Sequence, residues 1–192
     1  MQLRYSKTLM QAAEGSATPW KSKVTAICYS PDNRRLAVVT TDRIVSIFDE
    51  SGERVDKFST KPNDKGPKNY IIRSMKFCPD ETQARLAVAQ SDNIVFIYKW
   101  TSTDPNDVWS GKKSICNKFP GSSSVTSLVW APNHPFEVVY GLAEGKVKIG
   151  QLRTNKPQTL YSTESYVAAL ASNSAGTGII SSHLDGSIYR WA

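Results

Sequence analysis

A chain of 192 residues, 40% hydrophobic and 21% charged, has the composition of an ordinary globular protein and enough length to bury a core. No run of about 18 apolar residues is present to span a bilayer, and the opening MQLRYSKTLMQAAEGS lacks the apolar stretch of about 7–15 residues that a secretory signal needs. A net charge of +7 admits acidic protein, anionic lipid or nucleic acid as partners, whereas three scattered cysteines (Cys28, Cys78, Cys116) without a CxxC pair exclude a zinc site and suit a reducing compartment.

Helical periodicity is almost absent, and short strand-like runs bounded by Gly, Pro, Asn and Asp fill the chain. Leu3 to Leu9 has strand character but no partner nearby, and residues 1–23 read as this strand and a lead-in. From residue 24 one pattern returns four times: an apolar run, a Pro/Asn/Asp/Gly turn, a second apolar run, an acidic tight turn, and a third run ending near an aromatic. The copies span 24–49, 71–99, 125–151 and 167–192. Between them a more polar fourth strand fits: GERVDKFST, KKSICNKF and KPQTLYST. The residues after the acidic turn, Arg43, Asn93, Gly145 and Gly186, are spaced by 50, 52 and 41.

Four strands per copy, at about 40–45 residues, describe the blade of a WD40-type β-propeller, with extra length in two insertions over 61–69 and 101–111. Runs such as Leu36-Ala37-Val38-Val39 and Ile94-Val95-Phe96-Ile97 are apolar on both faces, as strands between stacked blades must be. The predicted fold is all-β, a propeller of about three and three-quarter blades. Blade one covers 24–60, blade two 70–119, blade three 123–163 and a partial blade four 166–192. Rings of this type usually carry about seven blades, or roughly 280 residues. The chain therefore reads as part of a longer protein, and the Leu3–Leu9 strand is expected to close the ring as the outer strand of a last blade.

Asp42, Asp92, Glu144 and Asp185 occupy the turn between the second and third strands. Four carboxylates at matched positions invite a metal or acid–base reading, but they fall on different blades, so capping of backbone N–H groups is the better use for them. The aromatic that ends the third strand appears in Phe48-Asp49 and Tyr98-Lys99, gives way to Gly150-Gln151, and returns in Trp191-Ala192; these rings are expected between blades. His183 reads as a satisfied core residue and His134 as exposed. No G-x-S-x-G, P-loop or G-x-G-x-x-G is present, so neither an enzyme nor a cofactor or metal is expected.

The positive charge concentrates on the fourth strands (Arg54, Lys57, Lys112, Lys113, Lys118, Lys156) and in the 61–69 insertion. Lysine on an outer strand discourages edge-to-edge pairing. Lys61, Lys65 and Lys68, on a loop shaped by Pro62, Gly66 and Pro67, are instead the candidate partner-binding rim, with an acidic protein surface as the favoured target. Arg34 and Arg35 join them as candidates, because some propellers hold phosphoinositides through an Arg-Arg pair. There the pair sits in a Phe-Arg-Arg-Gly motif of a later blade, whereas here it is Asn33-Arg34-Arg35-Leu36. Nucleic acid lacks its signature of exposed aromatics interleaved with Arg. A peptide-reading propeller is a third possibility, for which no residue nominates the peptide.

GERVDKFSTKP, SDNIVFIYK, ICNKF, GLAEGKVKIGQLRTNK and TESYVAAL together resemble the largest, peripheral subunits of intraflagellar transport complex B, from Met1 to the end of the chain. The resemblance implies a coat-like protein with tandem N-terminal propellers followed by an α-solenoid. It implies a non-enzymatic scaffold in ciliary trains and cilium assembly, found at the cilium or flagellum, basal body and cytoplasm. Its implied partners are other complex B subunits, including one with a calponin-homology domain. An anionic membrane surface bound through the basic rim is the alternative, and no small-molecule substrate is implied.

Overall fold

Runs rich in Val, Ile, Ala and Phe, set between turns of Asn, Asp and Gly, become strands throughout the repeat. The computed structural model describes residues 4–10 and 23–192. Three antiparallel sheets of four strands follow one another: β1 (Val24–Tyr29), β2 (Leu36–Thr40), β3 (Ile44–Phe48) and β4 (Arg54–Ser59); β5 (Ile72–Phe77), β6 (Arg85–Gln90), β7 (Ile94–Thr101) and β8 (Lys112–Pro120); β9 (Val125–Val129), β10 (Glu137–Leu142), β11 (Lys146–Gln151) and β12 (Lys156–Ser162). A fourth sheet has three strands, β13 (Val167–Ser172), β14 (Ile179–His183) and β15 (Ile188–Trp191). Strands pair in chain order within each sheet, which makes each a propeller blade and the whole a WD40-type β-propeller.

The tight turns explain the punctuation seen in the sequence. Arg43 (φ 67°), Asn93 (φ 70°), Gly145 (φ 93°) and Gly186 (φ 88°) occupy the same turn position in the four blades, and all take the left-handed conformation. A bulge recurs at the start of each first strand, at Val24/Ala26, Ile72/Ser74, Val125/Ser127 and Val167/Ala169, and adds twist at the inner edge.

Blades stack face to face over three apolar layers. Val39, Val45 and Ile47 of blade one meet Met75, Val88 and Phe96 of blade two. Ala87, Ile97 and Phe119 meet Leu128, Val138 and Tyr140 of blade three, and Val139 and Val147 meet Val167 of blade four. Each outer strand also places one aromatic on the third strand of the next blade. Phe58 packs on Tyr98 at 4.9 Å and Trp100 at 5.9 Å, and Tyr161 packs on Trp191 at 4.6 Å and Tyr189 at 4.7 Å. At the middle junction Phe119, fully buried, lies on Gly150, where an added Cβ would come within 2.6 Å of its ring. The glycine that breaks the series of third-strand aromatics is thus the seat of a neighbour's ring.

Residues 4–10 form no strand. Lys7 Nζ meets Glu53 Oε1 at 2.5 Å, and a Cβ on Gly52 would lie 2.6 Å from Leu9, so the segment rests on the turn between β3 and β4. The strand expected over Leu3–Leu9 is therefore absent from its described part. None of the four sheets takes residues 4–10 as a strand, and Lys7 and Leu9 spend their contacts on the β3–β4 turn instead. Leu3 and the lead-in over 11–22 lie outside the described residues.

Candidate functional site

The strand connections divide into two faces. The turns between second and third strands and the loops between blades lie on one, and the remaining turns lie on the other. Strands of five or six residues hold the two roughly 17–20 Å apart. This split separates the candidate residues: the 61–69 loop belongs to the first face, whereas Arg34 and Arg35 belong to the opposite one, with the 101–111 insertion.

On the first face the acidic turns do different jobs. Asp42 Oδ1 accepts from Thr40 Oγ1 (2.5 Å) and Ile44 N (3.3 Å), and Asp185 Oδ1 from Ser187 N (2.9 Å) and Oγ (2.6 Å). The Ser187 bonds hold the Asp185 carboxyl below its usual range. Glu144 is held low by the Ser122 hydroxyl and by Lys146. Asp92 is fully buried, and it serves the neighbouring loop rather than its own turn. Its Oδ2 accepts from Asn63 N (2.7 Å), its Oδ1 from Gln90 Nε2 (3.0 Å), and its carbonyl from Asn63 Nδ2 (2.7 Å). Gln90 Nε2 also reaches Lys61 O at 3.0 Å, and Tyr98 Oη accepts from Lys61 N at 3.0 Å. Gly66 packs so closely that a Cβ there would lie 2.5 Å from the Asp92 carbonyl.

The 61–69 loop is thus bound at its start and middle to blade two. Its far end is tied to blade one, where Arg43 Nη1 donates to Lys68 O (3.3 Å) and the Arg43 guanidinium lies 4.9 Å from the Tyr70 ring centre. The side chains of Lys61, Lys65 and Lys68 are exposed and form no ion pair among the described residues. They flank a groove of about 510 Å³ lined by Arg43, Thr60, Pro62, Asn63, Lys68 and Tyr70. The anchoring role of Asp92 was invisible in sequence, because its partner Asn63 precedes it by 29 residues.

The opposite face treats its arginines differently. Arg34 Nε faces Glu50 at 3.4 Å, and Arg35 Nη2 faces Asp107 of the 101–111 insertion at 3.4 Å. Asp32 and Glu81 line the same groove. The pair is offset by carboxylates, which is poor ground for a phosphoinositide.

Lys113 also departs from expectation. It turns inward to Asp56 of blade one (2.8 Å), 4.0 Å from the Phe58 ring centre, while Trp100 Nε1 donates to the same carboxylate at 3.0 Å. Burial opposes ionisation of Asp56, but these bonds outweigh it and hold the carboxyl below its usual range.

His183 is buried and contacts Ser165 O (2.9 Å), Ser181 Oγ (3.1 Å) and Thr163 Oγ1 (3.2 Å). His134 is exposed beside Glu137 at 3.2 Å. Burial pushes the Cys28 thiol up to about 12 and the Cys78 thiol up to about 11. Among the described residues no group of three or more His, Cys, Asp or Glu could hold a metal, and no helix is long and apolar enough to cross a membrane.

The family model of the WD domain, G-beta repeat, matches residues 14–49. Over its whole length the chain is 50% identical to intraflagellar transport protein 172 of Chlamydomonas reinhardtii and 45% identical to the human homologue, covering 10% of each. It is 38% identical over 98% of its length to intraflagellar transport protein osm-1 of Caenorhabditis elegans, again covering 10%. The chain thus spans about a tenth of the length of these relatives. Among solved structures it matches the computationally designed Ika4 protein with a TM-score of 0.67 at 18% identity, over 97% of this chain and 98% of that one. The designed Ika8 protein matches with a TM-score of 0.65 at 18% identity, over 88% of this chain and 46% of that one. Both likenesses concern the fold alone.

Proposed function

We propose, from the premise that the chain is homologous throughout its length to a segment of intraflagellar transport protein 172, that it is a non-enzymatic scaffold propeller of an intraflagellar transport complex B subunit. It acts at the cilium or flagellum, with the basal body and cytoplasm as its places of assembly. Its partners are other complex B subunits, including one with a calponin-homology domain, and each is gripped through an acidic surface.

The observation that carries this reading is the 61–69 loop. Three lysines without an ion pair among the described residues stand on a backbone tied to both flanking blades by Asp92, Gln90, Tyr98 and Arg43. A loop ordered before binding loses little further entropy when a partner arrives, so its charges contribute more fully to affinity. Asp42 and Asp64 lie among the lysines. That mixture suits a protein surface of matching pattern better than a uniformly anionic membrane. The acidic turns sit on separate blades, and each carboxylate is occupied by nearby backbone N–H groups or by side chains such as Thr40, Gln90, Lys146 and Ser187, which supports a role without catalysis.

The test is a pulldown from ciliary extract with the full chain and its Lys61/Lys65/Lys68→Glu variant, with recovered complex B subunits identified by mass spectrometry. The wild type should recover them and the variant should not. Recovery of none, or equal recovery by both, overturns the reading. Flotation with anionic vesicles covers the membrane alternative, and lipid binding lost in the same variant would favour it.

A further inference from the structure

Three cations at the junction of blades two and three, on the face opposite the 61–69 loop, form no ion pair with a carboxylate among the described residues. Arg85 opens β6 and Lys99 lies directly across from it on β7, both half-buried. Like charges placed opposite one another on a sheet repel. Across the junction the Arg85 guanidinium lies 5.5 Å and that of Arg153 4.2 Å from the ring centre of Phe136, so both share one aromatic of blade three. Arg85 Nε and Nη1 are buried without a hydrogen-bond acceptor, which leaves Nη2 as the nitrogen open to a ligand.

The carboxylates of these turns are engaged elsewhere. Asp80 accepts from Thr82 and Gln83, with the charge of Arg85 only the smallest of the influences that hold its carboxyl low; Asp104 accepts from Asn106 N, and Asp107 pairs with Arg35. Glu137 faces His134, and Glu81 lines the groove between blades one and two. A half-buried guanidinium opposite a lysine is unfavourable unless an anion offsets it.

Two grooves adjoin at this point. One, of about 450 Å³, contains Arg85 and Lys99, and the other, of about 340 Å³, contains Arg153 and Phe136. We infer that an extended acidic peptide segment of a protein partner crosses this junction, one carboxylate meeting Arg85 and Lys99 and a second meeting Arg153. Residues two apart in an extended chain lie about 7 Å apart on one side, which lets alternate acidic side chains serve the two grooves.

The layout favours a peptide over a lone phosphate or a membrane. The three cations are divided between two separate grooves, and two carboxylates spaced along one chain can serve both where a lone phosphate serves one. Asp104 lines the first groove and Glu137 the second, so a flat anionic bilayer would meet both carboxylates, whereas an extended peptide can direct its acidic side chains past them to the cations.

The test uses the full chain in a Lys61/Lys65/Lys68→Gln background, so that the first face makes no contribution and the two readings fail separately. A fluorescent decapeptide of alternating glutamate and serine is titrated by anisotropy at low salt. It should bind, its glutamine counterpart should not, and Arg85→Gln or Arg153→Gln should each weaken binding by about tenfold. Arg153 is exposed, so its replacement leaves folding intact. In the absence of peptide, Lys99→Gln should raise the melting temperature by relieving the repulsion with Arg85. Unchanged peptide affinity in Arg153→Gln overturns the inference. So does inorganic phosphate, or phosphatidylserine vesicles, binding through Arg85 and Arg153 while the peptide does not.

Discussion

Replacing Phe119 and Gly150, singly and together, tests how the blades are locked. Phe119 is fully buried, and its ring occupies the space that a side chain at position 150 would need, with contacts of 2.6, 2.7 and 2.8 Å to an added Cβ. Phe119→Ala removes the ring and leaves a cavity, at a cost of about 3–5 kcal/mol. With roughly 2–4 °C per kcal/mol for a chain of this size, the melting temperature should fall by about 10 °C. Gly150→Phe alone drives a ring into the same space and should cost at least the ~1–3 kcal/mol of ordinary overpacking. The double variant places the ring on β11 instead, as Tyr98 and Trp191 already do in their own blades. Its loss should be smaller than the two single losses combined by about 2 kcal/mol, the upper range of coupling for residues in contact. Thermal and urea melts of the four proteins measure this directly. Additive losses would refute the idea that one volume is shared between an outer strand and the next blade.

Asp56→Asn removes the charge that Lys113 and Trp100 address and should lower stability at neutral pH by about 1–2 kcal/mol. Because the folded carboxyl is held below its usual value, its contribution is present above the unfolded pKa near 3.8 and fades as pH falls through the folded value. Melts of wild type and variant should therefore converge as the pH falls from the unfolded value through the folded one, and a constant gap would contradict the assignment. Gly66→Ala sets a Cβ against the Asp92 carbonyl and should speed amide exchange and proteolysis within 61–69 while leaving the blades protected. Cys28 and Cys78, raised to about 12 and 11 by burial, should resist a thiol reagent at pH 8 until the protein is unfolded in guanidinium.

Strand positions were legible because local rules govern them. Doubly apolar runs such as Val38-Val39 and Val95-Phe96 could only lie between blades, and the residues after the acidic turns had to accept positive φ. The fourth strands were visible as GERVDKFST, KKSICNKF and KPQTLYST, which overlap β4, β8 and β12. What stayed hidden depends on which blade faces which. Lys113 looked like an outward lysine, yet its partner Asp56 stands 57 residues earlier on the neighbouring blade. Asp92 looked like its three counterparts, and only the folded loop brings Asn63 to it. Arg34 and Arg35 seemed one basic rim with Lys61, Lys65 and Lys68 because residue order says nothing about which end of a strand a turn occupies. Gly150 looked like decay of the repeat until Phe119 was found on it.

The ring that each outer strand lays on its neighbour also decides how the molecule would bear mechanical load. Tension on an outermost strand ordinarily opens a sheet from its rim, one ladder bond after another, like a zipper. With Phe58, Phe119 and Tyr161 each seated on the next blade, the same pull must first slide a ring out of a packed interface. Rupture then requires many contacts to fail together, and force entering at one blade is handed along the arc to the next.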